Sequence, residues 1–400
     1  MRTKKAQRGF SLLELLVASA IGLVVMAAMT SLFKTGMDAT FTVSQRAETQ
    51  QNMRAAIEMM AKDISLAGSG IPSGGLQLAS GGTVSLFGCN QGGTCYVPGG
   101  TYPASASGAA NFMYPIEPNF GNGVQSNAAI TAAPGLTNSS TTVVYCDYNF
   151  SLSNFTFASN FPATPTITVN VVPVPTVGLP TNIQAAGGLQ AGDLLLFVIN
   201  TPGNGKAGNP NGTSLVQNAA VVGEITGIAG NAAPPAPTAG ATVAFAPGDA
   251  LNFNQNGAGI TNNMASVAAA ANAPGAQLNA CRLKVVSYFL QVPVAGGGVV
   301  QTPRLMRQVN GLTAVPVADN IINLQFTYDA INEITNVVVA NQQNPTAGSQ
   351  ALIQKVNILV MGQSLTTDGK KAQSMYLATS VSTRDMSFCN SYSSSNTQCQ

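Results

Sequence analysis

The chain has 400 residues, among them 41 glycines and 22 prolines but no histidine, and only 8% of its residues are charged. The lack of histidine excludes histidine-based catalytic triads. Four of the 17 basic side chains precede Gly9, so 13 basic side chains stand against 15 acidic ones in the remainder, which leaves no broad basic surface for nucleic acid. This composition is typical of an extracellular β protein with long loops.

Residues 10–33 form an apolar run of 24 residues that contains one charge, Glu14, and follows a basic segment. A helix of that length reaches roughly 36 Å, enough to cross a bilayer core of about 30 Å. The basic flank predicts a cytoplasmic N-terminus. The run is too long for an ordinary secretory signal and has no A-x-A-like site beyond it. A carboxylate in hydrocarbon costs about 2.5–3.5 kcal/mol, so Glu14 needs a partner.

The residues RGFSLLE at positions 8–14 resemble the class III signal of type IV prepilins. The resemblance implies that residues 1–9 are a leader peptide, that prepilin peptidase cuts after Gly9, and that Phe10 is then methylated. Glu14 would neutralise the Phe10 ammonium of a neighbouring subunit and so set the register of assembly. The alternative is that Glu14 faces a polar cavity within the membrane.

The helix is predicted to continue past the transmembrane or fibre-core segment. No proline occurs between Phe10 and Pro72, and an amphipathic extension is predicted over residues 34–70. Its apolar face consists of residues at helical spacing, namely Met53, Ile57, Met60 and Ile64. Glycines at 68 and 70 supply stop signals. We therefore predict one helix from Phe10 to about Ala67.

Residues 71–280 are interpreted as a large head region or insertion rich in β-strands and loops. Runs of β-branched residues separated by Gly, Pro and Asn predict its strands. The predicted strands are Thr83–Phe87, Thr141–Tyr148, Thr166–Val174, Asp193–Asn200, Ser214–Ile228 and Ala241–Phe245. Residues 262–273 are predicted to be either a short helix or an Ala-rich loop.

All cysteines lie beyond the apolar run, where an oxidising compartment favours disulfides. They are Cys89, Cys95, Cys146, Cys281, Cys389 and Cys399. Six cysteines permit 15 pairings, and the sequence does not choose among them. Short separations favour pairing 89 with 95 and 389 with 399, which leaves 146 with 281. A metal site is disfavoured because there is no histidine and no C-x-x-C, and no cofactor is expected.

Residues 281–400 carry a second resemblance. The segments CRLKVVSYFLQV, PRLMRQVNG and VADNIINLQFTYDA predict a strand, a second strand, a loop and a strand over residues 317–330. Together with a closing strand pair at 356–361 and 375–386, they resemble the C-terminal half of minor pilins of the PilW type. Alternation of Leu324, Phe326 and Tyr328 predicts a half-buried strand.

The resemblances imply an α+β fold, in which a long N-terminal helix packs on a β-rich, pilin-like head with long loops. The implied function is that of a minor pilin, not an enzyme, that helps initiate, prime or cap a type IV pilus. The implied partners are other major and minor pilins, prepilin peptidase, the inner membrane and the pilus assembly platform, with no nucleic acid. The protein would be a single-pass inner-membrane protein with a periplasmic head before assembly and would reach the pilus surface afterwards.

Two other assignments remain open. The J-type minor pseudopilin of type II secretion shares the signal and the helix. An adhesin or ligand-binding module at the pilus tip is a second alternative, because Tyr96, Tyr102 and Tyr114 lie among Gly/Pro loops, although packing within those loops is the simpler explanation.

A role in DNA uptake requires a basic stripe. Arg282, Lys284, Arg304 and Arg307 lie on two predicted strands, and they support that role only if they share one exposed face. The acids are scattered, and those at strand or loop ends, such as Asp249 and Asp329, are expected to be solvated or to form turns. Hydrolysis by paired carboxylates is therefore disfavoured, and a loop calcium site is left open.

Overall fold

The description that follows rests on a computed structural model of the chain. It describes residues 11–71, 75–79, 81–82, 85, 112–119, 124–125, 138–147, 155–157, 167–173, 183–184, 188–202, 215–229, 241–249, 251–257, 259–265, 268–272, 276–291, 294–295, 299–300, 303–332, 335, 337–343, 345, 352–364 and 373–383.

One helix, α1 (Leu12–Ser65), dominates the N-terminal part of the chain. It contains 54 residues, which corresponds to a length of about 81 Å. No proline interrupts it, and Gly68 adopts a left-handed conformation with φ of 82° just beyond its end. The long uninterrupted helix and the β-rich head that follows confirm the predicted α+β fold class.

The head is built from strands that group into several sheets. The first strands are β1 (Leu76–Gln77), β2 (Phe112–Met113), β3 (Ile116–Asn119), β4 (Val124–Gln125), β5 (Ser140–Cys146), β6 (Phe155–Phe157), β7 (Ile167–Pro173), β8 (Leu194–Pro202), β9 (Leu215–Glu224), β10 (Gly227–Ala229) and β11 (Ala241–Phe245). After them come α2 (Ala268–Ala271), β12 (Gln277–Gln291), β13 (Val294–Ala295), β14 (Val299–Val300), β15 (Arg304–Val309), β16 (Val315–Asp319), β17 (Ile321–Ile331), β18 (Val338–Gln342), β19 (Ile353–Gln363) and β20 (Ser374–Ser382).

The 15-residue strand β12 organises the largest sheet, which has eight strands. Residues 277–283 pair with β8, and residues 286–291 pair with β15. Residues 283–288 pair with β5, and because Leu283 pairs with both β5 and β8, these two strands lie on opposite edges of β12. A single long strand therefore joins the middle of the chain to its C-terminal part.

The chain changes sheet at Asn320. Strand β16 pairs with β15 in the eight-stranded sheet, whereas β17, which begins one residue after Asn320, pairs with β18 and β19 in a four-stranded sheet of order β18-β17-β19-β20. Asn320 has φ of 63°, a left-handed conformation that asparagine tolerates better than most residues do. The single strand predicted over residues 317–330 is therefore wrong, because the chain bends at Asn320 and divides the segment between two sheets.

The two sheets are joined by main-chain hydrogen bonds as well as by apolar packing. The Ser139 N–H donates to the Leu324 carbonyl over 2.7 Å, and the Leu324 N–H donates to the Asn138 side chain over 3.0 Å. The core between them also holds Tyr328, whose hydroxyl donates to the Thr141 hydroxyl over 3.2 Å. The start of β5 is thereby fixed against β17.

A further four-stranded sheet, of order β10-β11-β7-β6, belongs to the middle of the chain. Its core contains Phe245, whose ring meets that of Phe197 edge-on at a centroid distance of 5.6 Å.

Of the predicted elements, Ala241–Phe245 matches β11, and a four-residue helix, α2, lies within residues 262–273. The predicted strand at Thr83–Phe87 lies outside the described residues apart from Ser85. The division of the chain at residue 280 stays a prediction, and the eight-stranded sheet draws strands from both sides of it.

Candidate assembly helix and its attachment to the head

The described part of the candidate site begins at Ser11, the N-cap of α1. The Ser11 N–H donates to Glu14 Oε2 over 3.0 Å, and the Glu14 N–H donates to Ser11 Oγ over 3.2 Å, which is a reciprocal capping box. Glu14 therefore accepts a hydrogen bond from a backbone N–H group at the start of its own helix. Gly9 and Phe10 lie outside the described residues, so cleavage and methylation at these positions stay predictions.

The first part of α1, residues 11–48, carries no buried residue. Its large apolar side chains are exposed, namely Leu12, Leu13, Leu15, Leu16, Val17, Ile21, Leu23, Val24, Val25, Met26, Met29, Leu32, Phe33, Met37, Phe41 and Val43. Among the described residues this is the helix that is long and apolar enough to cross a membrane. An exposed apolar surface of this length requires either lipid or other helices as its surroundings.

Several hydroxyl groups within this exposed part donate hydrogen bonds to carbonyls of the helix itself. Ser19 donates to the Leu16 carbonyl over 2.9 Å, and Thr30 donates to the Met26 carbonyl over 2.8 Å. Thr35 makes the same type of bond, to the Ser31 carbonyl, over 2.9 Å. Because these hydroxyls need no water, the polar residues of the segment are compatible with a hydrocarbon environment.

The last part of α1 packs on the head. Its buried residues follow helical spacing and are Thr49, Met53, Ala56, Ile57, Met60, Asp63 and Ile64. The helix meets β16, β19 and β20, and its buried apolar residues form one core with the eight-stranded sheet and the sheet that contains β17. A Cβ atom at Gly362 on β19 would lie 2.8 Å from Thr49 Cγ2 and 2.9 Å from Met53 Sδ, so a larger residue there would displace these side chains of the helix.

One carboxylate, Asp63, lies within this otherwise apolar face. Its Oδ1 accepts a hydrogen bond from the Tyr145 hydroxyl over 2.9 Å, and its Oδ2 accepts one from the Tyr288 hydroxyl over 2.5 Å. Arg307 Nε donates to the same Oδ2 over 2.8 Å and contacts the Tyr288 hydroxyl at 3.2 Å. We name these four residues the Asp63 cluster. It ties the end of α1 to β5, β12 and β15 at once.

The electrostatics of the Asp63 cluster are mutually consistent. Burial and the neighbouring negative charge of Asp63 raise the pKa of Tyr145 and that of Tyr288 above their usual range, so both remain neutral donors. Burial by itself would lower the pKa of Arg307, but the hydrogen bond and charge of Asp63 raise it above its ordinary value. The carboxylate thus has a cation and two neutral donors fixed around it.

The other cations of the two strands are also paired with acids. Arg282 Nη2 and Lys284 Nζ lie 2.5 and 2.8 Å from Asp147 Oδ2, a nearly buried carboxylate, and Arg304 Nε lies 2.7 Å from Asp319 Oδ1. Each of the four cations considered for DNA uptake therefore contacts a carboxylate. They do not form an exposed basic stripe.

Beside the Asp147 ion pairs, a disulfide joins Cys146 at the end of β5 to Cys281 in β12, with Cα atoms 5.7 Å apart. It closes the same strand pair that these ion pairs hold. The other four cysteines lie outside the described residues, so their pairings stay predictions. No group of three or more Cys, Asp or Glu side chains that could hold a metal ion occurs among the described residues.

The sequence analysis missed the burial of three acidic groups. It described the acids only as scattered, although Asp63, three residues after Met60 and one before Ile64, lies on the apolar face of the helix. It also expected Asp249 and Asp329 to be solvated or to form turns, whereas both are buried. Asp329 is held by Lys355 Nζ at 2.8 Å. Of the three tyrosines considered for an adhesin, Tyr114 is described, and its ring lies against Gly75.

The comparison with known families agrees with the geometry of α1. A family profile described as the prokaryotic N-terminal methylation motif matches residues 4–30. This motif supports a type IV pilin-like prepilin. It implies processing by prepilin peptidase and assembly in a membrane system, and the proteins that carry it are structural rather than enzymatic. No curated protein and no solved structure matches the chain. The likeness to PilW-type minor pilins and the absence of enzymatic activity stay predictions.

Proposed function

We propose that this protein is a minor pilin that helps initiate, prime or cap a type IV pilus. In this proposal prepilin peptidase cuts after Gly9 and Phe10 is methylated. The protein then waits in the inner membrane with its head in the periplasm. The assembly platform transfers it to the growing fibre, where its helix joins those of other major and minor pilins.

The observation that carries this proposal is the division of α1 into two environments. Residues 11–48 are unburied and apolar, whereas from Thr49 onward one face is buried in the head. A helix that served only the fold of the head would not extend about 55 Å beyond it, at 1.5 Å per residue. The same segment suits lipid before assembly and a bundle of pilin helices afterwards.

In this proposal Glu14 determines how the segment aligns with the helices of neighbouring subunits. In the described helix its carboxylate is held by the Ser11 N–H. A single hydrogen bond does not neutralise a carboxylate in hydrocarbon, whereas the ammonium group of Phe10 from a neighbouring subunit would. Glu14 would then act as the register residue for assembly.

The test is Glu14→Gln, which removes the charge and keeps the shape. We expect the variant to be cleaved, to insert in the membrane and to fold normally, because the first buried residue of α1, Thr49, lies 35 residues later. It should nevertheless fail to co-purify with other pilins, and pili should be lost in a strain without the wild-type copy. Glu58→Gln, the same substitution at an exposed position of the same helix, is the matched control and should assemble normally.

Normal incorporation of the Glu14→Gln protein would refute the register role. Deletion of the gene distinguishes the two systems that share this signal. Loss of surface pili and twitching with intact secretion supports the pilus. Loss of secretion with intact pili assigns the protein to the type II pseudopilins instead. Normal pili that no longer bind a surface would favour the adhesin.

A further inference from the structure

The described part of the head contains two large apolar cores that draw on different stretches of the chain. The core that holds α1 consists of buried residues within 53–67, 116–145 and 286–360, and we name it the α1 core. A second core consists of buried residues within 183–271. The second core thus lies between two parts of the sequence that build the first. We name residues 147–280, which connect β5 to β12 and contain the second core, the inserted unit.

The two ends of the inserted unit meet at one place on β12. Leu283 of β12 pairs with Cys146 of β5 on one edge and with Leu194 of β8 on the other. Cys146 and Cys281 form a disulfide with Cα atoms 5.7 Å apart, although 135 positions separate them in the sequence. The inserted unit is therefore closed at its base by a covalent bond.

Charged groups hold the same place together. Asp147 Oδ2 lies 2.5 Å from Arg282 Nη2 and 2.8 Å from Lys284 Nζ, and the Asp147 N–H donates to the Arg282 carbonyl over 2.7 Å. Arg282 Nη1 also donates to the Gly188 carbonyl, inside the inserted unit, over 3.2 Å. The ion pairs and the disulfide form a neck between the two parts of the head, which consists of Cys146, Asp147, Cys281, Arg282 and Lys284.

The inserted unit also contacts the rest of the head along an apolar surface. Leu251 and Phe253 of the inserted unit lie there with Leu76 and Leu78, which come earlier in the sequence. Each of the four is at most 2% exposed. This surface belongs to a third cluster of buried residues, distinct from the α1 core and from the core of the inserted unit. It docks two parts that each have an interior of their own.

A long insertion between two paired strands has an entropic cost when it unfolds. If the inserted unit unfolds while β5 and β12 stay paired, it becomes a loop whose closure opposes that pairing. In the chain-entropy account of disulfides, closing a loop of about 100 residues changes an equilibrium constant by roughly a thousandfold or more. A disulfide at the base removes this cost from the strand pairing, because the ends of the loop are then joined in the unfolded state as well.

We propose that the Cys146–Cys281 disulfide uncouples the folding of the α1 core from that of the inserted unit. With the disulfide formed, β5 pairs with β12 whether or not the inserted unit is folded. Without it, the α1 core depends on a folded inserted unit to hold the same two ends together. The inserted unit of the disulfide-bonded protein can therefore open while α1 stays attached to the head. This inference does not rest on the function proposed for α1.

Hydrogen exchange of the full-length chain in detergent micelles tests the uncoupling. Phe245→Ala removes a ring that is 2% exposed and lies in the core of the inserted unit. The substitution is made in the wild type and in Cys146→Ala/Cys281→Ala. Exchange is measured in urea at a concentration at which the β11 peptide of both Phe245→Ala proteins has lost its protection. Peptides of β17 and β19, which line the α1 core, report whether that core stays folded.

The two backgrounds should respond differently. With the disulfide present, Phe245→Ala should raise the opening equilibrium of β17 and β19 by less than about threefold. In Cys146→Ala/Cys281→Ala the same substitution should raise it by at least about tenfold, because the unfolded unit is then a long loop. Any effect of the cysteine substitutions on packing is present with and without Phe245→Ala, so it cancels in this comparison. Ala229→Ser, at an exposed position of β10, is the control and should change neither background.

A second route to the thiol form serves if Cys146→Ala/Cys281→Ala does not fold. The protein is folded with this disulfide and a phosphine reductant is added afterwards, in a variant in which the other cysteines are replaced by alanine, namely Cys89, Cys95, Cys389 and Cys399. Reduction should then remove the protection of β17 and β19 in the Phe245→Ala protein and leave it in the protein with Phe245.

Two results would overturn the proposal. Loss of protection in β17 and β19 together with β11, while the disulfide is intact, would mean that the inserted unit and the α1 core form one cooperative unit. This result is obtained from disulfide-bonded protein alone. The same response to Phe245→Ala with and without the disulfide would mean that the disulfide does not uncouple the two parts.

Discussion

The head buries acidic groups in two different ways. Asp63, at the end of α1, has a cation and two tyrosine hydroxyls around its oxygens. Asp249, in the loop after β11, accepts hydrogen bonds from the backbone N–H groups of Phe253 and Asn254. The first site pairs its carboxylate with a cation, Arg307, whereas burial raises the pKa of Asp249 above its usual value. Both residues are buried, but they are held by different kinds of donor.

The two arrangements contribute differently to the fold. The guanidinium of an arginine keeps its charge across the ordinary pH range, so the cation beside Asp63 is permanent. Such a site suits the joint between α1 and the head, where one carboxylate contacts three strands at once. The backbone N–H donors of Asp249 come from its own loop, so they order that loop locally.

The largest expected effect follows from breaking the Asp63 cluster. Asp63→Asn leaves the guanidinium of Arg307 without its carboxylate and should lower the free energy of unfolding of the head by about 3 kcal/mol. Chemical denaturation of detergent-solubilised protein measures this loss, which should be similar at pH 5 and pH 8. A loss below 1 kcal/mol would show that solvent compensates Arg307, whose side chain is 25% exposed.

The second effect is a dependence on pH. Burial raises the pKa of Asp249, so the folded chain holds this proton at a pH at which the unfolded chain has released it. The free energy of unfolding should therefore fall as the pH rises through that range, by at most about 1.4 kcal/mol per pH unit. Asp249→Asn should remove this contribution, whereas Asp63→Asn should retain it. Equal slopes in the wild type and Asp249→Asn would contradict the contrast drawn between the two sites.

The smallest effect is expected at an exposed ion pair. Arg304 and Asp319 form a pair of normal length, but their side chains are 40% and 55% exposed. Asp319→Asn should therefore change the free energy of unfolding by less than about 1 kcal/mol, and salt should reduce the effect further. A loss as large as that of Asp63→Asn would mean that burial does not explain the difference between these two arginine–aspartate pairs.

The sequence predicted the elements whose signals are local. The helix was placed within two residues at each end, because a run free of proline with helical spacing of apolar residues leaves few alternatives. The strands β5, β7, β8 and β11 were found from runs of β-branched residues between Gly, Pro and Asn. The motif at residues 8–14 identified the assembly segment, which the family comparison supports.

What the sequence could not predict depends on partners distant in the chain. Residues 315–331 contain two strands in different sheets, and a single left-handed asparagine, Asn320, makes the division. In the sequence the four cations of β12 and β15 suggested a basic stripe, but in the structure each of them contacts a carboxylate. These carboxylates belong to α1, to β16 and to the residue after β5. The function of a charge in a folded chain depends on which charge faces it, and that is a long-range property.

The sequence by itself therefore determined the leader motif, the long helix and the β-rich character of the head, because these follow from hydrophobic spacing and backbone preference within a few residues. Tertiary structure alone decided that the buried face of α1 begins at Thr49, that Asp63 is enclosed by Tyr145, Tyr288 and Arg307, and that Glu224 and Asp249 both hold the loop after β11. The physical reason is that burial and charge compensation are properties of the assembled core, where residues separated by up to 244 positions come within hydrogen-bond distance.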